Sequence, residues 1–109
     1  WPSERASLRP FAVSPSGMAD NIAVDEQGGL YVAMGSGGGV ARFRPNGELD
    51  RVYDLPTTFA SSVCFVGATQ ELLITTADRT DVPSAGGSLL AITVPLAGWP
   101  APRAGSYVV

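Results

Sequence analysis

One pattern of short apolar strands and glycine-rich turns occurs twice along the chain, and this repeat constrains the fold most strongly. Asp20 in the first pass aligns with Ser61 in the second, and Val24 aligns with Phe65, at an offset of 41 residues. A one-residue insertion in the following turn makes the offset 42. A repeat of about 40 residues that holds only short strands is typical of β-propeller blades. We therefore predict an all-β fold of antiparallel four-stranded meanders, amounting to about two blades.

The composition and the turn positions agree with that fold. The 109 residues suffice for about one domain, and they include 13 glycines and 9 prolines, which suit many tight turns. We divide the chain into an edge strand from a preceding blade (1–15), a first full blade (16–56), and a final blade with a C-terminal tail (57–109). Alternating apolar residues predict strands at 7–13, 21–25, 30–34, 40–44, 49–55, 61–66, 71–77 and 87–94.

The charged residues exclude several functions. The chain has no histidine and no lysine, so a histidine base and a Schiff-base lysine are both excluded. The net charge of -3 without a basic cluster argues against a nucleic-acid partner, and no apolar run approaches ~18 residues, which argues against a membrane partner. Cys64 is the only cysteine, so no internal disulfide is expected. With no signal peptide in this chain, a cytoplasmic location is favoured.

Two pairs of polar residues stand where strands of the two passes begin. Asp20 and Asn21 precede the first strand of one blade, and Ser61 and Ser62 hold the corresponding place in the next. In a propeller, the approach to each innermost strand faces the central channel. Carboxylate and amide oxygens are suitable ligands for Ca²⁺, Mg²⁺ or Mn²⁺. The same residues are also common in turns, where they bond nearby backbone, and composition alone favours that second interpretation.

The segments "MADNIAVDEQGGLYVAMGSGGGVARFRPNGELDRVYDLP", "SSVCFVG…ELLITTA" and "SAGGSLLAITVPLAG" resemble the senescence marker protein, gluconolactonase and regucalcin family. The similarity covers residues 16–105 in order. The family's Pro-Asp-Gly turn corresponds to Ala19-Asp20-Asn21 here, so the glycine is replaced. The resemblance implies a six-bladed β-propeller, of which this chain is the C-terminal portion.

The resemblance also implies a site. It makes Asp20 a ligand of one divalent cation (Ca²⁺, or Mg²⁺, Mn²⁺ or Zn²⁺) and the catalytic base. Asn21 would be a second metal ligand, and Ser61 and Ser62 would line the channel. The family's other ligands, a glutamate and an asparagine, come from earlier blades that this sequence does not contain.

The expected function is therefore the C-terminal part of a divalent-metal-dependent lactonase-type hydrolase acting on sugar lactones or related esters. The chain begins with Trp1 in mid-pattern, as a fragment would, so we expect the isolated chain to be inactive until the remaining blades join it. Two alternatives stay open. One is a non-catalytic two-blade module that self-assembles into a propeller, and the other is a strictosidine-synthase-like or phosphotriesterase-like enzyme of the same fold.

Overall fold

The computed structural model describes residues 8–77 and 87–100, and these form two antiparallel sheets, so the predicted all-β fold is confirmed. The polar loop at 78–86 and the tail beyond residue 100 lie outside the described residues. No helix of the described part is long and apolar enough to cross a membrane. The first sheet has the order β1-β2-β3-β4 and the second the order β5-β6-β7. The strands are β1 (Ile22–Val24), β2 (Leu30–Ala33), β3 (Gly39–Phe43), β4 (Leu49–Asp54), β5 (Ala60–Phe65), β6 (Glu71–Thr76) and β7 (Leu89–Thr93).

The strand register confirms the internal repeat. Val24 of β1 pairs with Leu30 of β2, and Phe65 of β5 pairs with Leu72 of β6. These are the residues that the sequence alignment superimposes, at offsets of 41 and 42. Because a slip of one residue would turn every side chain to the opposite face, matched registers mean that the two sheets present equivalent faces.

The loop between β3 and β4 shows why glycine is needed at one of its positions. The amide of Gly47 donates a hydrogen bond of 2.9 Å to the carbonyl of Arg44, and Gly47 has a φ of 93°. Asn46 keeps a negative φ, so glycine alone supplies the left-handed conformation that closes this turn. In a tight two-residue turn an Asn-Gly pair commonly has a positive φ at both residues, whereas here only Gly47 does.

The two sheets pack against each other through one face of each. Alternate residues of a strand point to opposite faces, so Tyr31 and Ala33 of β2 lie in this contact, as do Leu72 and Ile74 of β6. A smaller cluster covers the other face of the first sheet, and its buried members are Val32, Met34, Ala41 and Phe43. The buried residues between the sheets are Tyr31, Ala33, Val40, Ala60, Val63, Leu72, Ile74 and Val94.

The segment before the first sheet differs from the expectation. The sequence predicted an edge strand over residues 7–13, but residues 8–13 form no strand. A strand there would have to pair with a blade that precedes this chain, and Pro10 provides no amide donor. Leu8 and Val13 are instead largely exposed.

Tyr31 gives the core a measurable dependence on pH. Its ring is fully buried, and its hydroxyl has no hydrogen-bond partner among the described residues. Burial is the main cause that raises the pKa of Tyr31 from 10.0 to about 12, and electrostatic repulsion from neighbouring Tyr53 is the second. Above pH 10 the unfolded chain loses this proton more readily than the folded chain, so the free energy of unfolding should fall as the pH rises toward 12.

We expect Tyr31→Phe to reduce that alkaline loss. The substitution removes no hydrogen bond that the described residues make, so stability at pH 7 should change by less than about 1 kcal/mol. Urea unfolding of both proteins at pH 7 and pH 11 measures the difference. An identical alkaline loss in Tyr31→Phe would contradict the assignment to Tyr31.

Candidate functional site

The first strands of the two sheets lie side by side and form a cleft. β1 and β5 are each the edge strand of their own sheet, and they contact each other. The space between them has a volume of about 380 Å³. We call it the inner cleft. Its lining is apolar except for one thiol and one indole, and consists of Ile22, Ala23, Val24, Val63, Cys64, Phe65, Gly67 and Trp99.

Asp20 and Asn21 stand directly before β1, whose first residue, Ile22, lines the inner cleft. The amide of Asp20 donates to the carbonyl of Ala33 at 2.8 Å, and the carbonyl of Asn21 accepts from the amide of Ala33 at 2.9 Å. The backbone is therefore held to β2, while both residues are exposed. The carboxylate of a turn residue commonly accepts a hydrogen bond from a nearby backbone amide. Within the described residues, the Asp20 carboxylate accepts none. Its oxygens are available to a ligand.

Ser61 and Ser62 lie inside β5, which begins one residue earlier than predicted. The register shifts between Ala60 and Ser62, so Ser61 is the extra residue of a β-bulge. The Ser61 hydroxyl lies 2.7 Å from the Thr75 hydroxyl and 3.3 Å from the Thr75 carbonyl oxygen. These contacts give the Ser61 hydroxyl polar partners but no base, so the structure offers no activation of a serine nucleophile here.

The described residues do not form a complete metal site. Among residues 8–77 and 87–100 there is no group of three or more acidic or cysteine side chains that could hold a metal ion. Asp20 and Asn21 supply oxygens of the right kind, but Ca²⁺ takes six to eight oxygen ligands. These oxygens are therefore of the kind that a hard cation prefers, but the described residues supply too few of them to complete its coordination.

Asp25, which the sequence analysis did not single out, has the most developed polar contacts. Its side chain is fully buried, and one carboxylate oxygen accepts hydrogen bonds from the amides of Gln27 and Gly29, at 3.0 and 2.9 Å. The other oxygen accepts from Arg42, from Nη2 at 2.8 Å and from Nε at 3.1 Å. The run Asp-Glu-Gln-Gly-Gly at residues 25–29 carried a turn signal that could have identified this carboxylate.

Arg42 joins Asp25 to the edge of the first sheet. Its Nη1 lies 3.1 Å from Asp50, and its guanidinium carbon is 5.7 Å from the centre of the Tyr31 ring. Burial lowers the pKa of Arg42, but the hydrogen bond and charge of Asp25 outweigh burial, so the pKa is raised. Within the part of the chain that the structure describes, Arg42 contacts only other residues of the fold, which makes the role of this cluster structural.

Two antiparallel meanders whose first strands meet at a shared cleft define a protein of the β-propeller class. A family model described as "SMP-30/Gluconolactonase/LRE-like region" matches residues 2–78. The chain belongs to this family, as its sequence motifs indicated.

Curated relatives of the chain include two named lactonases. It is 35% identical over 78 residues to 6-deoxy-6-sulfogluconolactonase of Pseudomonas putida, a match covering 72% of this chain and 27% of the relative. It is 38% identical over 100 residues to L-arabinolactonase of Azospirillum brasilense, covering 83% of this chain and 33% of the relative. The chain thus spans between a quarter and a third of the length of these relatives.

Solved structures agree with the propeller fold. A gluconolactonase from Xanthomonas campestris superimposes with a TM-score of 0.61 at 31% identity, covering 80% of this chain and 25% of that one. A calcium-binding protein, regucalcin, from Agrobacterium tumefaciens superimposes with a TM-score of 0.73, covering 93% of this chain and 37% of that one. At 22% identity, the regucalcin likeness shows the fold alone.

Proposed function

We propose that this chain is the C-terminal part of a divalent-metal-dependent lactonase-type hydrolase that acts on sugar lactones or related esters. The observation that carries the proposal is Asp20, whose side chain is exposed and whose backbone is held by a hydrogen bond just before the strand that lines the inner cleft. The two curated relatives named as lactonases support the reaction class.

The proposed chemistry of this chain is proton transfer by Asp20. Hydrolysis of a lactone joins a water oxygen to the carbonyl carbon, breaks the ring C–O bond, and leaves a hydroxy acid. This chain has no histidine, so among its own side chains a carboxylate is suited to accept the proton from the attacking water. The proton then passes to the alkoxide that leaves the ring, which balances the reaction.

A divalent cation, with Ca²⁺ as the first candidate and Mg²⁺, Mn²⁺ or Zn²⁺ as the others, would polarise the lactone carbonyl when bound. Asp20 would give it a carboxylate oxygen and Asn21 an amide oxygen. Its remaining ligands would come from blades outside this chain, so we expect the isolated chain to be inactive. Ser61 and Ser62 would contribute to the polar lining of the channel.

A second candidate function is a non-catalytic module that builds a propeller from copies of itself. The repeat favours it, because the outer face of each sheet, which points away from the other sheet, corresponds to the packed face of that other sheet. Exposed Ile22 on the outer face of the first sheet corresponds to buried Val63, and half-buried Leu73 on the outer face of the second corresponds to buried Tyr31. Light scattering after size exclusion tests it, since a monodisperse monomer of the 109-residue chain would contradict this function.

A substrate panel tests the main proposal. The protein that carries this chain would be given glucono- and arabinono-lactones, an aryl ester, a phosphotriester and strictosidine precursors, with acid release recorded in a weakly buffered solution. We expect lactone hydrolysis with a kcat/KM of at least about 10⁴ M⁻¹s⁻¹, and loss of that activity after treatment with a chelator. Turnover of the phosphotriester or the alkaloid precursors without any lactone turnover would overturn the proposal.

A further inference from the structure

The segment after the last strand crosses from the second sheet back to the first. The carbonyl of Ala97 accepts a hydrogen bond of 2.8 Å from the amide of Glu26, and the amide of Trp99 donates one of 3.0 Å to the carbonyl of Val24. Between them, the amide of Gly98 donates to the carbonyl of Thr69, in the turn between β5 and β6, at 2.9 Å. We call residues 97–99 the strap, because they are bonded to both sheets.

The strap fits into its place only because residue 98 is a glycine. A β-carbon at Gly98 would lie 2.5 Å from both Cβ and Cγ of Phe65, and 2.9 Å from the carbonyl oxygen of Gly67. Gly98 is buried, and its φ is outside the left-handed region. Glycine is therefore required for space and not for backbone conformation, which shows how tightly the strap is held between the sheets.

β1 depends on this second partner. It has three residues, and one of its edges pairs with β2. The carbonyl of Val24 points to the other edge, where it meets the strap. Elsewhere the sheets are tied by Gly35 and Ala60, which exchange backbone hydrogen bonds of 2.9 and 3.0 Å. The direction of β1 is thus fixed by β2 on one side and by the strap on the other.

We propose that the strap is a positioning element, which holds β1 in place against β2 and thereby fixes the position of Asp20 relative to the inner cleft. Asp20 lies two residues before β1 and bonds to the same strand, β2, so a shift of β1 away from β2 would also displace Asp20. The proposal rests on the proposed function only in giving Asp20 a catalytic role. It makes Gly98 and the amide of Glu26 positioning groups, although neither would touch the substrate.

Glu26 offers a matched pair of variants. It is exposed and holds the second position of a turn in which the amide of Gly28 donates to the carbonyl of Asp25 at 3.0 Å. Proline is favoured at this position, so Glu26→Pro deletes the donor to Ala97 without opposing the turn. Glu26→Ala keeps the donor and serves as the control. Gly98→Val is the stronger variant, because its side chain has no room beside Phe65.

The test is made in the protein that carries this chain, by hydrogen exchange of residues 20–25 and by lactone kinetics. We expect exchange at least about tenfold faster in Gly98→Val and about three- to tenfold faster in Glu26→Pro, with no change in Glu26→Ala. We expect kcat to fall in the same order, while KM changes less, because a small misplacement of a catalytic group chiefly slows the chemical step.

A destabilising variant in another place separates positioning from general loss of structure. Ile92→Ala removes a half-buried side chain from β7, and should lower Tm while leaving exchange at residues 20–25 unchanged. Two results would overturn the proposal. One is unchanged exchange at residues 20–25 in Gly98→Val and Glu26→Pro. The other is a loss of kcat in Ile92→Ala as large as in those two variants when the loss of Tm is the same. If the unsubstituted protein hydrolyses no lactone, the proposed function fails, and the exchange comparison alone decides whether the strap positions β1 and Asp20.

Discussion

Replacing Asp20 by asparagine, in the protein that carries this chain, is expected to reduce kcat/KM for lactone hydrolysis by at least about 100-fold. The amide cannot accept a proton from the attacking water, and general-base catalysis contributes about 10²- to 10⁴-fold. The substitution keeps the size of the side chain, and Asp20 is held through its backbone amide, so the fold should be retained. Initial rates with a sugar lactone near pH 7 measure the effect.

Asp54→Asn is the matched control for this experiment. Asp54 is an exposed carboxylate at the end of β4, and the proposed function gives it no role. It should leave kcat/KM within about twofold of the unsubstituted protein, whereas Asn21→Ala should give an intermediate loss. If Asp20→Asn retained full activity with an unchanged pH profile, Asp20 would not be the base.

Replacing Asp25 by alanine is expected to lower the free energy of unfolding by about 3–5 kcal/mol, because it leaves a buried arginine without its closest partner. Asp25 is fully buried, and the Arg42 side chain is only 11% exposed. The same substitution removes the acceptor for the amides of Gln27 and Gly29. A natural domain has only about 5–15 kcal/mol of stability in total, so the loss should be plain in urea unfolding.

Two further variants keep this prediction testable if Asp25→Ala does not fold. Asp25→Asn retains an oxygen that can accept from the turn amides, so it should lose less stability than Asp25→Ala. Glu48→Gln breaks an ion pair with Arg44 in which both side chains are largely exposed, and it should cost less than about 1 kcal/mol. Equal losses for Glu48→Gln and Asp25→Asn would show that the burial of Asp25 does not matter.

The seven strands could be predicted because their signals are local. Alternating apolar residues and glycine turns fix each hairpin, and Val24 and Phe65 could be aligned before any contact was known. The edge strand at residues 7–13 could not be judged in this way, since a strand forms only where a partner is present. Asp20 was placed correctly before β1, because its position depends only on the register of one hairpin.

The strap and the Asp25 cluster depend on contacts between residues far apart in sequence. Arg42 lies 17 residues from Asp25, and nothing in the alternation of β3 marks it as the partner of a buried carboxylate. Gly98 lies toward the C-terminus, in a proline-rich segment to which the sequence analysis gave no role. Its importance follows from the distance to Phe65, which only the three-dimensional structure supplies.

The contact between the two sheets also carries information about the order of blades. Tyr31 and Phe65 meet edge to face across it, with ring centres 5.6 Å apart. The repeat places Leu73 and Val24 at the corresponding positions on the outer faces of the second and the first sheet, so a neighbour docking on either face would meet one aliphatic side chain in place of a ring. The two sheets of this chain are therefore not equivalent at this position. We expect a duplicated blade to lose the contact between the two rings, which would disfavour assembly in the wrong order.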